Sequence, residues 1–265
     1  MRLLPLASLA SLVLTACSAF AHLDVREDRE QGRLTVWREG ATEPLIVQSA
    51  RPDHRPYLHP LAAPDGRGVL TEFSPGHHRH QTGVYWGITR LNGRDYFHNP
   101  GADHWRRVAL TVDRDHGDTV AWTAVYDLLG ADGQPVWRET QRWAARDGGD
   151  TYTLDLEWTG EALTDVTISE YAYGGLFVRM PWRPGIEGYA INSTRQRNER
   201  ANGQRTTWVD VGLRLDGRDD LAHLAVFDHP ANPGYPLPWR VDGQLGFGPS
   251  PATLGDRTLT RGQSE

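Results

Sequence analysis

Five of the chain's eleven histidines fall between residues 72 and 105. They are His77, His78, His80, His98 and His104, set among Glu72, Arg79 and Asp103 with Tyr85, Trp86, Tyr96, Phe97 and Trp105 interleaved. Imidazole ordinarily titrates near neutrality, so it serves as acid, base or metal ligand without much help from its surroundings. After Gly76, an extended segment over 77–80 would put His78 and His80 on one face and His77 and Arg79 on the other. Two imidazoles at i and i+2 can share a metal ion or bracket a substrate oxygen. A lone histidine is ordinarily a surface or packing residue; a cluster this dense reads as a site.

Three further constellations can supply the rest of such a site. Asp228 and His229, followed by Pro230 and Asn232, close an apolar strand. Asp228 could orient the His229 imidazole for acid–base work, or cap the strand in an Asx turn with His229 exposed. Glu170 precedes Tyr171-Ala172-Tyr173-Gly174-Gly175, where paired glycines let backbone pass close to a ligand; it is either an acid or base or a solvated strand-end carboxylate. Arg179 follows Phe177-Val178 in a strand and needs a carboxylate or a ligand if buried. The polar run 192–205 reads as a long loop that lies over the site or is solvated.

Composition narrows the chemistry. All 28 basic residues are arginine, and net charge is −6. Without lysine there is no Schiff base, no P-loop and no lysine base, and carboxylates are met by planar forks. The mild acidity and the lack of a basic run exclude nucleic acid as a partner. No G-x-S-x-G occurs, and the one cysteine, Cys17, precedes the folded part, so neither serine-elbow nor thiol catalysis is expected. Ten tryptophans suit sugars, whose C–H faces stack on indole. Trp86, Trp105, Trp182, Trp208 and Trp239 adjoin polar motifs, whereas Trp122, Trp143 and Trp158 sit in alternating strands and read as core.

The elements that must position these groups are strands. Period-two alternation runs through 33–38, 107–113, 119–126, 151–158, 166–169, 207–211 and 222–227. Asp-Gly and Asn-Gly pairs at 65–66, 92–93, 132–133, 202–203, 216–217 and 242–243 mark the turns. No helix of three turns and no repeat is found. The expected fold is all-β: a large antiparallel two-sheet β-sandwich formed by residues 22–265 as a single domain.

Residues 1–21 read as an export signal, with Arg2, an apolar run over 3–14 and small residues after it. Leu14-Thr15-Ala16-Cys17 resembles a lipobox that would lipidate Cys17, while Ala19-Phe20-Ala21 suits ordinary cleavage before His22. Either way the protein is exported, to the periplasm, the outer membrane or the medium. No other run has the length of a membrane span, so membrane contact would come only through lipid on Cys17.

Several motifs together resemble a known family. They are Pro56-Tyr57-Leu58-His59-Pro60-Leu61, His78-Arg79-His80-Gln81-Thr82-Gly83, Tyr85-Trp86-Gly87, Asn92-Gly93, Gly174-Gly175-Leu176 with Arg179-Met180, Thr207-Trp208-Val209-Asp210, and Asp228-His229-Pro230 with Asn232. In this order, over residues 50 to 240, they are similar to the family labelled "methane oxygenase PmoA", a domain of unknown function. A membrane-type oxygenase subunit needs several membrane spans, which this sequence lacks. The resemblance instead implies a secreted bacterial protein of polysaccharide use, with a supersandwich like that of galactose mutarotases. Where many relatives carry D-H-P-H-H-R, this chain keeps His78 and His80 but not the third histidine or the arginine after it. Relatives also continue beyond 262–264 into a last strand, so a final core strand is expected to be missing.

The expectation is a carbohydrate-active enzyme using His78, His80, Glu170 and His229 for acid–base chemistry. Arg79, Tyr85, Trp86, His98, Trp105, Arg179, Trp208, Asp228 and Asn232 would bind the sugar. Epimerisation, elimination and hydrolysis stay open. The alternatives are a metal-dependent oxidative enzyme, with a divalent ion on His78, His80 and a third ligand such as His98, His104 or His229, and a glycan-binding lipoprotein without turnover. No cofactor is otherwise implied. Processing is the first test: Cys17→Ala should abolish lipid labelling of the exported protein, and a mature N-terminus sequenced as unblocked His22 would refute the lipid anchor.

Overall fold

The structure, a computed structural model, describes residues 22–265. The signal segment and Cys17 lie outside the described residues. Strands take 48% of the described residues and helix 3%, so the all-β expectation holds. The first five strands are β1 (Leu23–Asp28), β2 (Arg33–Arg38), β3 (Ile46–Ser49), β4 (Tyr57–Leu61) and β5 (Val84–Gly87). Then come β6 (Trp105–Arg114), β7 (His116–Gly117), β8 (Thr119–Leu129), β9 (Pro135–Asp147) and β10 (Tyr152–Ala162). The remainder are β11 (Val166–Ile168), β12 (Gly175–Arg179), β13 (Gly188–Asn192), β14 (Trp208–Leu213), β15 (Ala222–Phe227), β16 (Trp239–Val241), β17 (Gly246–Pro249) and β18 (Arg257–Leu259).

One layer is a nine-stranded sheet in the order β16-β17-β12-β5-β4-β3-β2-β1-β7. The second layer is divided, where a single sheet was expected. It comprises a four-stranded sheet, β10-β9-β8-β6, and a three-stranded one, β13-β14-β15; β11 and β18 form a separate pair. Every strand pairing is antiparallel. The last residues follow β10, with a bridge between Glu161 and Ser264.

Alternation explains the layering. Leu34, Val36, Leu58, Val84, Val178, Trp239, Val241 and Phe247 of the large sheet share one buried cluster with Val120, Trp122 and Trp143 of the four-stranded sheet and Val209, Val211 and Leu213 of the three-stranded one. Within this core Trp122 donates its indole N–H to Gln48 Oε1 at 3.1 Å, a cross-layer bond that satisfies both buried groups. A salt bridge from Arg38 to the fully buried Asp147 ties β2 to the end of β9.

The other face of the large sheet is not bare. Residues that alternate with the core set point outward there: Tyr57 and His59 on β4, Tyr85 on β5, Phe177 and Arg179 on β12, and Arg240 on β16. Tyr85, Phe97 and Phe177 form a small separate cluster flanked by Tyr57 and Tyr173. This outer face carries the histidines.

The register of β12 against β17 forms part of that face and is sterically sharp. A Cβ on Gly248 would stand 1.9 Å from the Leu176 carbonyl oxygen. Backbone cannot rotate aside, so Gly248→Ala should cost about 1–3 kcal/mol, the scale of overpacking, read as a lower denaturant midpoint. Gly101→Ala, with nothing within 4 Å of the added carbon, should leave the midpoint unchanged. Equal midpoints for the two variants would refute this register.

Candidate active site

The histidine stretch is not a strand. Residues 76–80 run through turns, so the face-by-face alternation expected over 77–80 fails. Their backbone turns on itself instead, with bonds from His78 N to Pro75 O (2.9 Å) and from Gln81 N to His78 O (3.0 Å). The consequence is a continuous row of rings. His77 packs edge-on against Trp182 at 5.7 Å and against His78 at 5.0 Å; His78 meets His80 at 5.8 Å, and His80 meets His98 at 4.4 Å. His77, expected to face away, joins the row, its Nδ1 lying 2.8 Å from His78 Nδ1.

His98 is the best-held member. Its Nδ1 lies 2.7 Å from Asp95 Oδ2 and its Nε2 lies 3.1 Å from the Tyr173 hydroxyl. A carboxylate only accepts, so Nδ1 carries the hydrogen, and Nε2, when it carries none, accepts from Tyr173. Asp95 is itself fixed by an Asx turn, Oδ1 accepting from the backbone N–H groups of Phe97 and His98 at 2.9 and 3.0 Å. Burial alone would push the Asp95 carboxyl up, but the bonds from His98 and these amides hold it below its ordinary range. Burial, with Tyr171 beside it, pushes the Tyr173 phenol up to about 12.

Two buried guanidinium groups hold the turn from beneath. Arg55 is fully buried and donates to Phe97 O at 2.5 Å, His80 O at 2.6 Å and Thr82 Oγ1 at 3.1 Å. It also lies 3.6 Å over the Tyr85 ring. Arg179, equally buried, donates to Gln81 Oε1, to Gln244 O at 2.7 Å and to Asp242 Oδ2 at 2.7 Å. Burial lowers the His80 pKa to about 3, helped by His98 and Arg55. Burial, then Arg179, also lowers that of His78.

Trp182, which packs on the end of the row, also lines a cavity of about 670 Å³. Arg195, Arg197, Glu199 and Arg200 of the polar loop line it together with Asp242. The 192–205 segment therefore does border this region.

The other expected residues are elsewhere. Glu170 is exposed and makes no side-chain bond to any histidine among the described residues; only its backbone N–H is engaged, by Asp256. Asp228 takes the capping alternative, accepting from Asn232 Nδ2 and Leu237 N at 2.7 Å each. His229 is exposed and only accepts from Ala231 N. Asp228 therefore does not orient His229, and neither joins the histidine row. Trp208 is half-buried on β14 opposite Phe227. Trp86 stacks on Trp158 at 4.1 Å, and Trp105 is buried with its indole N–H on Asn99 O; both pack the interior. Tyr85 is buried beneath Arg55 and Arg179 is matched to Asp242, so these two support the site from below. Arg79 is exposed and makes no ion pair among the described residues. His104 packs on Tyr96, outside the row.

Gly174 and Gly175 bring the backbone close to the chain itself. Both have positive φ, and a Cβ on Gly175 would lie 2.6 Å from Pro251 Cδ. No group of three His, Cys, Asp or Glu side chains among the described residues is arranged to hold a metal ion.

Asp95, Tyr173, Arg55 and Asp242 were not singled out in the sequence. The one local signal was Asp95 three residues before His98, downstream of the Asn92-Gly93 turn. The sequence model of a family described as "Family of unknown function (DUF6807)" matches residues 41–265. The chain belongs to that family. No curated protein and no solved structure matches it. Membership covers the whole site and carries no activity with it, so the chemistry must be argued from the side chains.

The depressed histidines have a consequence for stability. The folded-state pKa is about 4 for His59 and about 3 for His80, both because of burial, against an ordinary 6.5. Between these values the unfolded chain binds more protons than the folded one. Their contribution is thus complete above about pH 6.5 and is lost as pH falls toward 4. The melting temperature should drop between pH 7 and pH 4.5, and drop less in His80→Asn. A variant with the slope of the wild type would show that His80 is not held neutral.

Proposed function

We propose that this protein is an exported enzyme that moves protons on a sugar or oligosaccharide, and that the Asp95–His98–Tyr173 relay is its acid–base machinery. The geometry of that relay carries the reading. A base within reach of a hydroxyl, and itself oriented by a carboxylate, is the general arrangement of an activated oxygen. Tyr173 takes a proton from the sugar while its own passes to His98 Nε2, and the imidazolium is held by Asp95 on Nδ1. The reverse sequence returns the proton. His80, neutral and 4.4 Å from His98 ring to ring, offers a ring nitrogen to a substrate hydroxyl.

The acid–base partner is therefore tyrosine, where sequence reasoning looked to Glu170. Proton transfer of this kind serves epimerisation or elimination. Hydrolysis ordinarily uses a pair of carboxylates, and here Asp95 and Asp242 are each committed to a protein partner. The likeness to the family labelled methane oxygenase PmoA is read as kinship of a secreted sandwich, and proton transfer is the chemistry proposed for it. A metal-dependent oxidation would need three convergent ligands, which these side chains do not offer.

Product analysis on a glycan panel tests this, following faster anomer exchange, unsaturated uronate absorbance and new reducing ends. Tyr173→Phe and His98→Ala should each lower turnover about a hundredfold or more, the usual scale for acid–base catalysis. Asp95→Asn should follow them through loss of the tautomer. Glu170→Gln and His229→Ala should be near wild type. Sugar binding without turnover would leave a glycan-binding protein and refute catalysis.

A further inference from the structure

Several surface arginines among the described residues have a carboxylate to themselves or share one. Arg138 and Arg106 face Asp127, Arg214 faces Glu187, and Arg218 bridges Asp65 and Asp220. The arginines around the histidine row do not. Arg79, Arg195, Arg197, Arg200 and Arg240 make no ion pair among the described residues. Arg240 lies on the outer face of β16, 5.5 Å from the Tyr173 ring, and is close enough to His78 to disfavour its protonation. Arg197 rests on the Tyr189 ring at 4.7 Å, so one guanidinium of the loop is pre-positioned. Opposing charge is scarce. Asp95 is tied to His98 and Asp242 to Arg179, which leaves Glu199 as the one uncommitted carboxylate on the cavity wall.

A cationic surface beside a cavity is unexpected in a chain whose net charge is −6. Leaving like charges together without partners costs stability through mutual repulsion, which an anionic ligand would relieve. The residue type points to the anion. Guanidinium forks match planar oxyanions in bidentate fashion, and carboxylate is the planar oxyanion of sugars.

Resting on the glycan reading above, we infer that the ligand is an acidic oligosaccharide: a uronate seated with its carboxylate on Arg240 beside Tyr173, and the chain of sugars running past Trp182 into the cavity under Arg195, Arg197 and Arg200. The placement also suits the chemistry. A carboxylate neutralised by Arg240 acidifies the neighbouring C–H, the proton that Tyr173 would take.

Calorimetric titration of the full exported protein with matched oligosaccharides tests this, using a uronate oligomer, its neutral counterpart and a sulfated one. The uronate oligomer should bind most tightly and weaken as salt rises. Arg240→Gln should weaken it about tenfold or more, as loss of a charge-assisted pair implies, while neutral-sugar affinity stays unchanged and the melting temperature does not fall. Glu199→Gln should tighten it. Neutral oligomers binding as tightly as uronates would overturn this inference and leave the glycan reading standing. A preference for the sulfated oligomer would overturn the carboxylate assignment, as would an Arg240→Gln variant with wild-type uronate affinity. If no oligosaccharide binds at all, both readings fall.

Discussion

The candidate site depends on a buried cation that has no anion. Arg55 is shut away from water with neutral acceptors around it: two carbonyl oxygens, a threonine hydroxyl and the face of Tyr85. Burial pulls its pKa down to about 10, yet it remains charged at neutral pH. Taking such a group out of water costs several kcal/mol, offset here by the acceptors on its two terminal nitrogens, while Nε has no partner. The segments that meet it, 80–82 and 97, are therefore not free to drift. Arg179 acts from the other side through Gln81, Gln244 and Asp242. The backbone or side chain of each residue from His80 to Thr82 is thus committed to a guanidinium. That explains how a turn with little ladder of its own can hold a row of imidazoles in fixed contact.

A strand would have been the worse support. Alternation separates neighbouring side chains onto opposite faces, so an extended 77–80 could present at most two histidines together. The turn gathers three histidines through two consecutive contacts, His77 to His78 and His78 to His80, and then passes to His98 on a second loop. The nine-stranded sheet supplies the floor. With one face spent on the main core, its outward residues are free to be aromatic and cationic, and Tyr57, Tyr85, Phe177 and Arg179 fill that role.

How much of this was legible beforehand follows from the range of the interactions. Period-two alternation located β2 and β15 residue for residue and found most of β8 and β10, because a strand with one buried face writes its period into nearby residues. It missed β9, in which arginine recurs at 138, 142 and 146 beside buried glutamine and glutamate. The concentration of histidines was visible as composition. What they contact was not. His98 meets Tyr173 across 75 residues and Arg179 meets Gln81 across 98, and no local pattern encodes such pairs. Glu170 and His229 were attractive for their chemistry and their strand-end positions, but a strand end guarantees exposure and nothing more. Tyr173 lay three residues from Glu170, in the same glycine-flanked run, and its hydroxyl meets His98.

Division of labour between two kinds of charge follows from the same environment. Burial keeps His80 neutral down to about pH 3, so it contributes no positive charge at any ordinary pH and acts as a hydrogen-bonding group alone. The fixed positive charge near the row belongs to guanidinium groups, which do not titrate in this range. The anion recognition proposed for Arg240 and its neighbours would therefore be insensitive to pH. In the proposed relay, proton movement falls to the one histidine among the described residues whose two nitrogens are both engaged, with a carboxylate behind Nδ1 and a phenol before Nε2. On the proposed reading, such a site would keep hold of its substrate while a proton travels through it, because the groups that hold and the group that transfers are chemically distinct.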